Sequence, residues 1–256
     1  VMPGPSNLLE DSNSVIIFFK DLTDIIKVQK LKSDFVANVS HELRTPLQSI
    51  KLGLETINNG HAAKDLESQK KILPVVLQQT SRMENIVNDL LSLSRIELQE
   101  HIRPNEKVNL NDIISHSIEL HQEILKKNNI ECQFERESKN VKINGDRNRL
   151  IEVFNNLIDN GIKYSEKNKK ITITTKSENK NFLVTIKDQG IGISKENIPQ
   201  VTERFFRVDP AKSKEVGGTG LGLAIVKHIV NQHRAEMTIS SEINKGTEIS
   251  LNFPTT

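Results

Sequence analysis

One helical stripe over residues 31–57 constrains this chain more than any other feature. Apolar side chains recur at Leu31, Phe35, Val39, Leu43, Leu47, Ile50, Leu54 and Ile57, the three-and-four spacing of an amphipathic helix. At about 100° per residue, His41 points roughly 200° away from both Val39 and Leu43. The helix therefore buries one face and holds an imidazole out on the other, with Glu42 beside it. Pro46 lacks an N–H and crowds the carbonyl of Glu42, which predicts a kink or loosened turn next to the histidine. On a lone helix such a histidine reads as an ordinary surface residue; the rest of the chain reverses that preference.

A second amphipathic stretch runs from about residue 64 to 98, with Val76, Met83, Val87, Leu90 and Ile96 on its stripe. Pro74 predicts a kink or a late start there. Asn58-Asn59-Gly60 supplies the turn between the two helices. The stripes of this αα-hairpin are too wide for one partner to cover, so two copies are expected to pair as a homodimeric four-helix bundle. A monomer packing its hairpin on the second domain is the alternative. Residues 1–13 read as a disordered leader. Residues 15–19 (VIIFF) read either as a short strand, the last of a missing upstream domain, or as an apolar start to the helix.

Composition excludes several classes. The net charge is only +2, with both signs interleaved, which gives neither a basic stripe for nucleic acid nor a polybasic membrane patch. Cys132 is alone, so no internal disulfide or zinc site is expected and a reducing compartment is. No apolar run reaches the roughly 18 residues that span a bilayer. With a valine at its start and no signal peptide, the chain reads as the soluble piece of something longer.

Beyond a linker at 103–107 the periodicity becomes mixed. Asn109 is placed to cap a helix reaching about residue 127, with Asp112 at its third position. Strands are expected at 130–135 and 141–143, a helix at 147–164, a hairpin at 171–176 and 182–187, a helix from about Gly220, and strands at 237–240 and 247–253. Helices on one face of a mixed, largely antiparallel sheet make an α+β two-layer sandwich. The expected domains are 1–20, 21–105 and 106–256.

Four pieces of the second half carry chemistry. In the helix 151–164, Asn156, Asn160 and Lys163 share a face. Asparagine and Gly161 are poor helix formers there, and amide oxygens suit Mg²⁺ while lysine suits phosphate. Asp188 and the glycines of DQGIG stand at a strand end, where a carboxylate can meet an exocyclic amine and a flat base can approach backbone. In ERFFRVD, Arg207 can reach a phosphate while Phe205 and Phe206 clip the loop to the core. GGTGLG (217–222) leads into a helix whose N-terminal amides favour an anion. Its spacing fits neither the Gly-x-x-x-x-Gly-Lys-Ser/Thr loop nor a GxGxxG in a parallel βαβ unit, which argues against a Rossmann dehydrogenase. Lys212 and Lys214 lie in a segment expected to fold over a triphosphate as a mobile lid.

In this order the pieces resemble those of two-component sensor histidine kinases. SHELRTP (40–46) looks like the phospho-acceptor box, NNLIDNGIKY (155–164) the N box, DQGIGI (188–193) the first glycine box, ERFFRVD (203–209) the F box and GGTGLGLAIVK (217–227) the second glycine box. FKDLTD (19–24) and ERFFRVDPAKSKE (203–215) are similar to phosphate-regulon sensor kinases. The resemblance implies a helical-hairpin dimer followed by an ATP-binding sandwich of the gyrase, Hsp90 and MutL kind. It implies Asn160 as principal Mg²⁺ ligand helped by Asn156, Lys163 and Arg207 on the phosphates, Tyr164 lining the site, and Asp188 on the adenine amine. Gly190, Gly192, Gly218, Gly220 and Gly222 would allow the close approach, with Ile193, Thr219 and Leu221 in the same walls. His41 would attack the γ-phosphorus of ATP, with Glu42 orienting the ring and taking its proton. The phosphoryl group would pass to an aspartate of a response-regulator receiver domain, and Thr45 matches the position that aligns water for dephosphorylating that regulator. The resemblance also implies a cytoplasmic portion of a bacterial inner-membrane sensor, tied to the membrane only through an upstream segment. Gln232-His233-Arg234-Ala235 departs from the His-Gly-Gly that relatives often carry, and Val201-Thr202 from their apolar-aromatic entry to the F box. The competing class is a nucleotide-binding scaffold without transfer, against which the intact His41, Glu42, Asn160 and Asp188 argue.

Overall fold

The computed structural model describes residues 2–3, 15–16, 20–59, 65–99, 101–139, 141–210, 213 and 217–255. Most of the expected leader, residues 17–19, Gly60 of the turn, and the lid residues Lys212 and Lys214 lie outside the described residues. The chain divides into two compact units, Val1–Arg44 and Thr45–Thr256. In the first, β1 (Met2–Pro3) pairs antiparallel with β2 (Val15–Ile16). The strand reading therefore holds for residues 15–16, and the apolar-helix reading does not.

Helix α1 (Thr23–Asn59) begins where the Thr23 amide donates to Asp21 Oδ1 at 2.8 Å. It continues through Pro46, so the proline does not interrupt it. The ring is buried, and in a helix of 37 residues one forfeited bond is tolerated. Helix α2 (Leu66–Leu98) starts at its Asp65 cap, which accepts from the Glu67 amide at 3.1 Å. Pro74 delays nothing: the carbonyl it deprives belongs to exposed Lys70, which water can serve. In the second unit, Gly53 lets α1 approach α2 closely. A Cβ there would stand 2.7 Å from Val76 Cγ2.

The remaining elements are β3 (Lys107–Asn109), α3 (Leu110–Leu120), α4 (Gln122–Lys127), β4 (Glu131–Glu135), β5 (Lys142–Asn144), α5 (Arg147–Tyr164), β6 (Lys170–Glu178), β7 (Asn181–Lys187), α6 (Gly222–Gln232), β8 (Glu236–Glu242) and β9 (Gly246–Pro254). The main sheet has the order β4-β6-β7-β9-β8, parallel only between β4 and β6. Burial alternates along β6, β7 and β9, the period of a sheet with one covered face. Ile171, Ile173, Val184, Ile186, Leu251 and Phe253 fill that face. Against them lie the buried stripes of α3, α5 and α6, among them Ile113, Phe154, Leu157, Ile225 and Ile229.

Two expectations need correction. The helix from Asn109 does not run unbroken to residue 127. His121 leaves helical geometry (ψ 1°), and its ring Nδ1 takes the Ser117 carbonyl that an unbroken ladder would give to the His121 amide. The linker reading of 103–107 misses β3, which pairs with β5. Arg103 is also anchored, its Nη1 donating to the last carbonyls of α6 at Asn231 (2.9 Å) and Gln232 (3.0 Å), a favourable place for a cation. The Asn109 cap is present, accepting from the Asn111 amide at 2.9 Å.

The departure at 232–235 has a structural basis. Gln232 is buried and donates from Nε2 to the Gln99 and Ile102 carbonyls, both at 3.1 Å. Buried His233 donates from Nδ1 to the Ile229 carbonyl and accepts the Asp146 amide at Nε2. Burial holds this imidazole below the usual histidine pKa. Arg234 then closes the helix at φ 55°, its amide on Asn231 and that of Ala235 on Val230, a Schellman end in which glycine is preferred. Arg234 is exposed, so Arg234→Gly is expected to raise stability by about 0.5–1 kcal/mol. Urea unfolding should show a higher midpoint at unchanged slope.

Candidate functional site

A cavity of about 340 Å³ opens in the second unit between α5, the end of β7, the F-box loop and the glycine loop ahead of α6. Asp146 starts α5 by accepting the Asn148 and Arg149 amides. The helix then buries Val153, Phe154, Leu157 and Ile158 and turns Asn156, Asn160, Lys163 and Tyr164 towards the cavity. The Asn156 amide is already committed: its Nδ2 donates to the Glu152 carbonyl at 2.9 Å. Its Oδ1 faces Gly222, where a Cβ would stand 2.6 Å away. Asn160 makes no such bond among the described residues. Lys163 pairs with Asp159 at 2.6 Å, and Tyr164 Oη lies 3.2 Å from Ser213 Oγ.

Asp188 follows the last residue of β7. Its Oδ1 accepts the Gly190 amide at 2.8 Å and the Thr247 amide at 3.1 Å, and Oδ2 has no partner among the described residues. Burial pushes this carboxyl above its ordinary pKa, against the pull of the two amides. One oxygen fixed and one open suits an incoming N–H donor. Gly192 lines the same wall at φ 70°, where a Cβ would overlap the Glu242 carbonyl, and Ile193 continues it.

The loop 217–222 is shaped by close approaches. A Cβ on Gly220 (φ 76°) would stand 2.9 Å from the Phe205 backbone, and one on Gly218 2.5 Å from Ser213 Oγ. Phe205 itself has φ 64°, so the F-box loop and glycine loop are moulded to each other. Arg207 Nη2 donates to the Thr219 carbonyl at 2.9 Å. Such a concave, glycine-lined wall above a helix N-terminus fits a flat, phosphorylated ligand.

Of the expected site residues, Asn156, Asn160, Lys163, Tyr164, Asp188, Gly192, Ile193, Arg207, Gly218, Thr219, Gly220 and Gly222 line this one cavity. Gly190 and Leu221 do not. Gly190 gives its amide to Asp188 and packs on the Tyr164 carbonyl; Leu221 is fully buried. His41 and Glu42 belong to the first unit, with His41 exposed and Glu42 half-buried on α1. Thr45, on the next turn, is half-buried and outside the cavity.

One wall is absent from the sequence reading. Asn85, Asn88 and Asp89 of α2 line the cavity, and Thr219 Oγ1 donates to Asp89 Oδ2 at 2.7 Å. The signal existed: three short polar residues at i, i+3 and i+4 share a helix face, and such residues are as unfavourable in α2 as in α5.

Residues 145–256 match the family of histidine kinase-, DNA gyrase B- and HSP90-like ATPases, and residues 31–99 match the His Kinase A (phospho-acceptor) domain. The chain is 34% identical over 253 residues to the sensor-like histidine kinase SenX3 of Mycobacterium tuberculosis, covering 98% of this chain and 61% of SenX3. It is 34% identical over 239 residues to the phosphate regulon sensor protein PhoR of Pseudomonas aeruginosa, covering 93% of this chain and 53% of PhoR. The chain thus spans about 60% or less of these relatives' length. Among solved structures, the histidine kinase AdeS of Acinetobacter baumannii superposes with a TM-score of 0.66 at 26% identity, over 84% of this chain and 98% of that one. The histidine kinase ThkA, in complex with response regulator protein TrrA, gives 0.68 at 25% identity, over 93% and 68%. With a His Kinase A match, an ATPase match and relatives of one kind, the chain joins the two domain families found together in sensor histidine kinases.

Proposed function

We propose that residues 21–105 form a dimerising phospho-acceptor domain and residues 106–256 an ATP-binding catalytic domain. Their joint activity is to phosphorylate His41 from ATP and pass the group to an aspartate of a response-regulator receiver domain. The observation that supports this reading best is Asp188, one carboxylate oxygen pinned and the other open to a base amine, in the same cavity as Asn160, Lys163, Arg207 and the glycine loop. That distribution suits a purine at one end and anions at the other. The exposed His41 ring offers a nitrogen nucleophile. Its attack on the γ-phosphorus expels ADP, and Glu42 is placed in sequence to take the ring proton.

The residues present fit a magnesium ion at the phosphate end. Asn160 offers a hard amide oxygen with no competing bond among the described residues, whereas Asn156 is engaged with Glu152 and packed on Gly222. Such an ion would offset charge on the transferring group. Leu52, Leu66, Leu77 and Leu98 of the hairpin are each at least 65% exposed, which favours a second hairpin as their cover. Thr45, one turn beyond His41, is assigned to aligning water when the regulator is dephosphorylated. No helix among the described residues is long and apolar enough to cross a membrane. We place this portion in the cytoplasm, joined to a membrane through an upstream segment.

The test is incubation with γ-labelled ATP and magnesium. Acid-labile, base-stable label on the chain, transferable to a cognate receiver domain, is the expected result. Bound nucleotide without label would replace this reading with the scaffold.

A further inference from the structure

We propose that Asp89 stands in for a phosphate: α2 presents this carboxylate at the phosphate end of the cavity, so that α2 docked on the glycine loop and the phosphates of a nucleotide exclude one another. The inference rests on the reading of the cavity as an ATP site. The link runs through Thr219, whose hydroxyl donates to Asp89 Oδ2 (2.7 Å) and accepts the Leu221 amide (3.2 Å). That amide stands at the N-terminal end of α6, where free amides and the helix dipole favour an anion. The anion that this arrangement supplies is carried by α2.

Both cations assigned to phosphate already hold other partners. Arg207 Nη2 is on the Thr219 carbonyl and Lys163 on Asp159. Asp89 is half-buried; burial raises its pKa, the Thr219 hydrogen bond and the charge of Lys163 lower it, and Glu152 and Asp159 add repulsion. A phosphate chain entering this partly desolvated wall meets a like charge at close range. By linkage, whatever the phosphates cost the docking of α2, docking costs the phosphates equally. The docking has anchors away from the cavity: Glu97 pairs with Arg204 and faces His228 at 3.9 Å, and Ser92 bonds Glu152 and Arg149. A nucleotide thus displaces one of several contacts, which makes the antagonism graded.

Calorimetric titration of the full chain with adenosine and with ATP, each in EDTA and in magnesium, tests this. Asp89→Asn keeps an oxygen for Thr219 and nearly the same volume but removes the charge. It is expected to tighten ATP about 3- to 10-fold in both conditions and to leave adenosine unchanged. ATP affinity that is unchanged or weaker, with adenosine binding intact, overturns the proposal. A weakening confined to magnesium would make Asp89 a metal ligand and overturn it too. If the wild type binds neither compound, the ATP reading itself fails, a result distinct from the others. Glu97→Gln, remote from the cavity, should also tighten ATP by loosening α2. In the wild type, ATP but not adenosine should speed hydrogen exchange over residues 85–97, and unchanged exchange would sink the inference.

Discussion

His41→Ala is expected to leave a chain that binds ATP with wild-type affinity and takes up no label from the γ-phosphate. Asp188→Ala is expected to lose both, its ATP affinity falling roughly 100-fold. The contrast follows from where the two residues stand. His41 is exposed on α1 in the first compact unit and is outside the cavity lining. Removing its ring deletes the proposed nucleophile and nothing in the cavity proposed to hold the nucleotide. Asp188 holds the cavity together as well as offering an acceptor. Without its carboxylate the Gly190 and Thr247 amides lose their partner, and a base amine would meet an apolar methyl. Calorimetry reads the affinities and autoradiography the label. Label persisting in His41→Ala would move the acceptor elsewhere.

Gly246→Ala is expected to destabilise the second unit by about 3 kcal/mol or more. Gly246 opens β9 with φ 103°, and a Cβ there would overlap the Asp188 carbonyl oxygen. Both objections are backbone, so no rotamer change relieves them. The neighbouring Thr247 amide is one of the two that fix Asp188, so the surviving folded fraction should also bind ADP more weakly. Gly217→Ala is the control. Its φ is 72° but a Cβ would meet nothing within 4 Å among the described residues, so a conformational cost of about 1–2 kcal/mol is what is expected. Urea unfolding followed by circular dichroism separates the two.

How much of this was legible depends on the range of the interaction. Helix α5 was bounded from sequence at 147–164, as found, because a cap, a stripe and a turn all lie within it. The β6–β7 hairpin was likewise recovered, its strands extending to leave only Asn179 and Lys180 in the turn. Asn179 takes φ 53° there, a conformation asparagine tolerates. What escaped was set by partners distant in the chain. Three residues of β3 are too few to show a period, and their partner β5 lies over 30 residues on. The break at His121 comes from a ring nitrogen capturing a carbonyl, a local competition invisible to hydrophobic spacing. The α2 wall was missed because its stripe was read only for apolar residues, while Asn85, Asn88 and Asp89 answer to a loop about 130 residues away.

The joint after α2 is sewn rather than hinged. Gln232 grips the carbonyls of Gln99 and Ile102, Arg103 grips those of Asn231 and Gln232, and His233 next door holds the Asp146 amide at the root of α5. Under the proposed function, a twist in α2 is therefore expected to reach the far ends of the two helices whose near ends carry the glycine loop and Asn160, and through them the walls of the cavity.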